Sequence, residues 1–355
     1  MNKKITIKEL TMNKLTKIGA SALCGSLAAV SAASAGELTV KGGATATWSS
    51  NEGTVTGNPI GLSSGITMTG SGELDNGTTF ALTLTQADQS AYSTGNISIT
   101  TPGLGSFRIG QTGGGLDRLD DMMPTAWEET TGTSLGTGIS TVNGVAGSSN
   151  VTWTLPADML PSGLGVQFAY TPRGQSAMTN DKGVGGDAGG FGSGYDIVLD
   201  YNALVDGLNI FGGYSAIEQA AATTGGAGGV MGGADGDRTQ KVMGATYAVG
   251  GFTLGYQYSL DAKQTVSGAA TSFYENDAYG ISFAINDDLS ISYGSHKSDR
   301  NLTNGTNVEA EATSLQLAYS MGGASLKIAE TSGDNLNYST ATDRDATTLA
   351  LSLAF

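Results

Sequence analysis

One cysteine and one histidine occur among the 355 residues, and each scarcity removes a class of chemistry. Cys24 lies in an N-terminal segment that reads as an export signal. The exported chain then has no thiol for disulfides, nucleophilic catalysis or metal binding. A single histidine rules out the HExxH of metalloproteases, and no GxxxxGK[ST] phosphate loop occurs. Basic residues are also few, 17 Lys and Arg against 32 Asp and Glu. A polyanion needs a basic surface, so nucleic acid is excluded as a partner. Acidic loops that hold divalent cations such as structural Ca2+, or a lumen that favours cations, fit this balance, and no other cofactor is implied. Long apolar runs are absent too: outside the N-terminal segment no window sustains a helical period or reaches the length of a membrane-spanning helix. With 55 Gly and abundant Thr, Ser and Ala, the chain reads as helix-poor and strand-rich.

Residues 1–35 carry the marks of a removable signal. Lys14 and Lys17 precede an apolar stretch from Ile18 to Val30, and Ala33-Ser34-Ala35 offers a cleavage site before Gly36. Met12 opens a second, more compact version of the same signal, so two starts stay open. The apolar run is shorter than the roughly 20 residues a membrane anchor needs. The bulky Leu23 before Cys24 argues against a lipoprotein. Cleavage removes five of the 17 basic and one of the 32 acidic residues, leaving 12 against 31 and a formal charge of −19.

Residues 36–355 read as one domain. The chain ends in TTLALSLAF, where Leu349, Leu351, Leu353 and Phe355 fall on one face and Thr348, Ala350, Ser352 and Ala354 on the other. A strand of this pattern that stops on an aromatic looks like the closing strand of an outer-membrane β-barrel, bulky face to lipid and small polar face to a lumen. The pattern repeats upstream, for example at Leu38–Trp48, Phe80–Leu84, Phe107–Ile109, Tyr195–Tyr201, Phe252–Leu260 and Tyr279–Ile285. Near Leu208, Ile210 and Tyr214 it is less clean, because Phe211 breaks parity. Asp75-Asn76-Gly77 marks a tight hairpin.

Short turns near 75–77, 101–105, 250–251, 286–288 and 321–323 alternate with long polar stretches near 50–60, 86–94, 112–149, 173–193, 217–238, 262–273, 297–308 and 331–343. The expected fold is all-β, a transmembrane antiparallel up-and-down barrel of about 16 strands, with short turns at the periplasm. Trp48, Tyr170, Tyr201 and Tyr214, near strand ends, would sit at headgroup level. A soluble β-sandwich or a secreted β-solenoid is the competing reading, and alternating connection lengths over the whole chain weigh against it.

The stretch Gly103–Gln111 (GLGSFRIGQ), together with the terminal strand, resembles the general bacterial outer-membrane porins of the sixteen-stranded, trimeric type. That resemblance implies that the long third loop, from about 112 to 149, folds into the lumen and narrows it. Carboxylates on such a loop face basic side chains on the barrel wall. Asp117, Asp120, Asp121, Glu128 and Glu129 are the candidates for the acidic side. For the wall, Lys41 and Arg108 have lumen parity, each sitting between residues of the lipid face. Glu73, Asp196 and Asp200 share that parity and add negative charge. Family members often carry Arg where this chain has Gln111, so the basic cluster is thinned or displaced to Arg108.

The resemblance further implies a passive, non-enzymatic diffusion channel for small hydrophilic solutes and ions; the net negative charge, the five loop carboxylates and the scarcity of wall arginines add a mild cation preference. It implies a homotrimer in the outer membrane of a Gram-negative bacterium, in contact with membrane lipid and lipopolysaccharide. Phe355 would be the assembly signal read by the barrel-insertion machinery.

Two other features bear weighing. His296-Lys297-Ser298 places a histidine and a serine two apart, as on the wall of outer-membrane phospholipases, but at the start of a polar loop with no evident orienting partner. The glycine-rich 183–194 resembles a calcium-binding nonapeptide, yet Gly194 stands where Asp is required, and it reads as a flexible loop. The alternative function is an adhesive or phospholipase-like barrel without an open pore. Strand number discriminates, since barrels of about 8 to 12 strands usually have filled interiors.

Overall fold

The computed structural model describes residues 36–52, 57–88, 90–111, 113–132, 135–174, 191–219, 236–264 and 271–355. The expected export signal with Cys24, and the parts of the expected long connections at 53–56, 175–190, 220–235 and 265–270, lie outside the described residues.

Among the described residues sixteen strands follow one another: β1 (Leu38–Asn51), β2 (Ile60–Glu73), β3 (Thr79–Ala87), β4 (Ser90–Thr101), β5 (Gly105–Gln111), β6 (Ser149–Thr154), β7 (Leu164–Thr171) and β8 (Phe191–Tyr201). The second half comprises β9 (Leu208–Gln219), β10 (Arg238–Val249), β11 (Phe252–Ala262), β12 (Thr271–Ala284), β13 (Leu289–Leu302), β14 (Val308–Met321), β15 (Ala324–Asp334) and β16 (Arg344–Ala354). Each pairs antiparallel with its sequence neighbours, and β1 pairs with β16, so the sheet closes into a barrel. At the seam Trp48 lies opposite Leu349 and Ala44 opposite Leu353. Phe355 carries the ladder one step further, donating from its amide to the Gly42 carbonyl (2.9 Å) and accepting from the Gly42 amide (2.8 Å).

Parity decides the two faces. Leu62, Leu82, Ile97, Ile109, Leu199, Leu315 and Leu351 point outward and are exposed, while Gln240, Gln257, Asn276, Ser298 and Gln316 point inward and are almost wholly covered. This inverts a soluble sandwich, whose apolar parity is the buried one. The Asn-Gly hairpin forms as its chemistry requires. Gly77 takes φ +78, its amide donates to the Leu74 carbonyl (2.9 Å), and Asn76 Oδ1 accepts from the Thr78 amide (3.0 Å).

Several connections are shorter than the sequence suggests. The expected long stretch at 86–94 is a tight turn between β3 and β4. Asp88 adopts φ +50 there, and its Oδ1 accepts from the Ser64 amide (2.8 Å). The connection expected at 297–308 shrinks to 303–307, that at 331–343 to 335–343, and Asp334 becomes the last residue of β15. Residues 191–194, expected in a flexible loop, open β8. One cause covers the differences at 297–308 and 331–343. At one end of β12–β15 the ladder continues while the outward parity changes from apolar to charged, at Glu275, Asp277, Lys297, Glu309, Glu311 and Glu330. Cross-strand pairs support that charged face: Lys297 with Glu311 (3.0 Å) and the Tyr258 hydroxyl with Glu275 (2.7 Å). Apolar periodicity therefore ends before the strands do.

Candidate functional site

The chain leaves β5 at Gln111 and returns to the wall at β6, and the described residues between them pack on the inward parity of the barrel. The segment starts where the Arg108 guanidinium donates to the Gly113 carbonyl (3.2 Å). A single helical turn follows, α1 (Asp117–Asp120). Leu116 before it and Leu119 within it are fully buried against Val142 of the same segment and against Val198, Phe211 and Val242 of β8, β9 and β10. These three wall residues are bulky and apolar on a face that elsewhere carries mostly polar or small side chains. Phe211, whose parity looked irregular in the sequence, is one side of the socket. Gly213 leaves the space: a Cβ there would lie 2.5 Å from a Leu116 methyl.

Polar side chains fix the rest by their backbone acceptors and donors. Asp196, fully buried, accepts from the amides of Leu116 (3.2 Å) and Val145 (3.1 Å), so one carboxylate clasps both ends of the segment. Gln240 Oε1 accepts from the Asn143 amide (3.1 Å), and Ser292 Oγ from the Ala126 amide (2.8 Å). Gln316 Oε1 accepts from the amides of Trp127 and Glu128 (both 3.2 Å) while its Nε2 donates to the Glu128 carbonyl (2.8 Å). The Ser140 amide donates to the Tyr338 hydroxyl (2.8 Å), and Leu135 is buried with Leu336 and Ala346. The segment thus spans the inner wall from β8 to β16. The inward parity of β2 and β3 presents threonine hydroxyls that bond one another across the strands, Thr67 with Thr85 (3.2 Å) and Thr69 with Thr83 (3.4 Å).

The five candidate carboxylates all lie on this inward segment. Asp117, Asp120 and Glu128 are half-buried, Asp121 and Glu129 exposed. One carboxylate oxygen from each of Asp120, Asp121 and Glu129 lies within 4.8 Å of the others. Burial, and then the like charge of Asp121, raises the Asp117 carboxyl above its ordinary range. Burial first, then the charges of Asp121 and Asp117, pushes Asp120 up to about 7, against a lowering hydrogen bond from Thr141. Glu128 is pushed up to about 7 by burial, with the nearby Lys327 ammonium opposing. Glu129 also reaches about 7, through burial and then its hydrogen bond and charge repulsion with Asp121.

Of the candidate basic residues, Lys41 is exposed on the inward parity of β1, opposite Thr67. Arg108 is half-buried and tied to the segment's first residues. The added negative charge expected from Asp196 and Asp200 is largely spent: Asp196 is the buried clasp, and Asp200 pairs with both terminal nitrogens of Arg118. Glu73 borders a separate hollow of about 740 Å3 with Glu37 and Asp75. Phe355 is 81% exposed. His296 and Ser298 are not at a loop. Both lie within β13 on the buried inward face; the Ser298 hydroxyl pairs with the Tyr338 hydroxyl (2.8 Å), and His296 Nε2 has no hydrogen-bond partner. A base and nucleophile require a mutual hydrogen bond, which this arrangement does not supply.

The closed sixteen-stranded antiparallel barrel is shared with solved structures. A Salmonella typhi OmpF in complex with daunomycin superposes with a TM-score of 0.63 at 15% identity, over 90% of this chain and 98% of that one. The fold is that of the bacterial porins. An anion-selective porin from Comamonas acidovorans matches with a TM-score of 0.62 at 14% identity, over 90% and 100% of the two chains. A loop-deletion mutant of OmpT, an outer-membrane protein of Vibrio cholerae, gives 0.65 at 12% over the same shares. No protein-family model matches the chain, and comparison with curated protein sequences finds no match.

Within the porin barrel several inward basic residues escaped the sequence reading, among them Arg238, paired with Asp261, Arg300, which donates to the Tyr338 carbonyl (3.1 Å), and Lys327. Lys327 lies inward on β15 between Leu326 and Ile328, the same parity that marked Arg108. Its Nζ sits 5.5 Å from the Trp127 ring centroid and donates to Ser352 Oγ (3.1 Å). The amide anchors Gln240 and Gln316 gave no sequence signal, since inward polar residues are expected throughout a porin wall.

Proposed function

We propose that the protein is a passive diffusion channel for small hydrophilic solutes and ions in the outer membrane of a Gram-negative bacterium, assembled as a homotrimer. It carries a mild cation preference. The observation that carries this reading is the segment between β5 and β6, seated on the inner wall with five carboxylates, in a barrel whose inward cations include Lys41, Arg108 and Lys327, while Arg118 and Arg238 are each paired with a carboxylate, Asp200 and Asp261. Such a segment divides a wide lumen into a narrower wet passage, and charge placed at its edge acts on every ion that crosses. The porin fold alone does not set the sign, since a barrel of the same fold is anion-selective. The excess of acid on the segment sets it here. Lipid and lipopolysaccharide surround the outward apolar face in this reading, and the charged outward ends of β12–β15 stand beyond the hydrocarbon.

Purified barrels in a planar bilayer are expected to give stable, stepwise conductance, with three subunits by native mass measurement. Well-folded barrels that conduct nothing overturn the channel, and recovery only as monomers overturns the trimer.

Phe355 serves assembly in this reading. Deleting it is expected to lower outer-membrane levels in cells several-fold while protein folded in detergent conducts as before. Deletion also removes the two backbone bonds to Gly42, so Phe355→Ala, which keeps them, is the sharper variant. Unchanged levels of both variants would remove the role.

A further inference from the structure

We propose that Asp120, Asp121, Glu129 and His296 form a binding site for one divalent transition-metal ion of the Zn2+ class, joining the inward segment to β13. The carboxylates alone would not warrant it, because acidic groups cluster without ions. Two further observations do. His296 is only 7% exposed, and its Nε2 is buried without a hydrogen-bond partner. Asp120 Oδ1 is likewise buried without one. Both residues, with Glu129, line the same small cavity of about 20 Å3. A hollow of this size holds one water or one ion, and buried polar atoms left without partners on two residues of its lining are costly unless something occupies it. His296 also has room, because its cross-strand neighbours are Ala278 and Ala312.

The donor set selects the ion. Zn2+ accepts imidazole nitrogen and carboxylate oxygen at about 2.0–2.2 Å, so it would draw together the three carboxylate oxygens, which lie within 4.8 Å of one another, and the His296 imidazole, which stands outside that group on the cavity lining. Ca2+ prefers six to eight oxygens and gains little from an imidazole. The site therefore departs from the Ca2+ that acidic loops alone suggest. It depends on where the inward segment lies and not on the channel being open, so binding is measured without conductance.

The experiment uses untagged mature protein folded in detergent, titrated with ZnCl2 by calorimetry at pH 7.5. One Zn2+ per chain is expected, with affinity lowered at least about tenfold by either His296→Ala or Asp120→Asn, and no displacement by an equal concentration of Ca2+. Because the chain has a single histidine, Cu2+ bound to the wild type should show the electron spin-echo modulation of a remote imidazole nitrogen, which can come only from His296. That measurement decides the matter even where a variant does not fold. Absence of the imidazole modulation, wild-type affinity in His296→Ala, or equal competition by Ca2+ overturns the site.

Discussion

Replacing Asp120 and Asp121 together with asparagine is expected to move the zero-current potential under a salt gradient toward anions. Both carboxylates sit on the inward segment, and with Glu129 they concentrate three acids within a few ångströms at the edge of the passage. A cation crossing there is stabilised by Coulomb energies between the bulk-water and interior limits, and two neutralised charges remove most of that stabilisation. The formal charge of −19 left by the expected cleavage contributes less than its size suggests. Much of it lies on outer connections and strand ends, where salt screens beyond about 10 Å at 0.1 M. Asp334, exposed at the end of β15, is the control, and its neutralisation should change little.

The same acids give the selectivity a pH dependence whose sign is fixed. A carboxyl is neutral below its pKa and negative above it, and Asp120, Glu128 and Glu129 are each pushed up to about 7. Cation preference of the wild type should therefore grow between pH 6 and pH 8, and the paired variant should flatten that rise. Recordings with a chelator in both chambers keep bound metal from masking the charges. A wild type that prefers anions, or a paired variant whose reversal potential stays in place, would reduce these carboxylates to surface charge.

How much of this was legible in the sequence follows from what a barrel strand shows and hides. Each strand declares itself by period-two alternation, because lipid and lumen impose opposite demands on neighbouring residues. All sixteen strands and the inward parity of Lys41 and Arg108 came from that rule. The rule fails above the apolar band, where Glu275, Lys297 and Glu311 replace leucine and tyrosine on the outward parity. There the far end of β13 was read as a loop, and His296 and Ser298 were misplaced with it. The seat of the inward segment left one trace, the parity break at Phe211, with Val198 and Val242 as quieter versions of it. Asp196 left none as a clasp. A buried carboxylate that accepts two amides 29 residues apart, at Leu116 and Val145, looks in sequence like any inward charge.

The larger structural effect is expected from Leu119→Asp. Leu119 is fully buried in the socket made by Leu116, Val142, Val198, Phe211 and Val242. Removing it forfeits about 1.5–3 kcal/mol of apolar burial, and an unpaired carboxylate in its place adds a desolvation penalty of several kcal/mol. The protein has two ways to relieve this. Unfolding the barrel would break the ladders that hold β8, β9 and β10 to their neighbours, whereas lifting α1 out of the socket breaks only the segment's own contacts. The second is cheaper, so the barrel should stay folded while the passage widens. Single-channel conductance should rise, and liposomes carrying the variant should swell faster in sugars too large for the wild type. Leu119→Met, which nearly conserves volume and costs under about 1.5 kcal/mol, should leave both unchanged. If Leu119→Asp folds normally and conducts as the wild type does, the apolar socket is not what seats the segment. The clasp at Asp196 and the amide anchors at Gln240 and Gln316 would then suffice without it. A lowered conductance would instead mean that the released segment swings across the passage, and the picture of a constriction held open against the wall would fail.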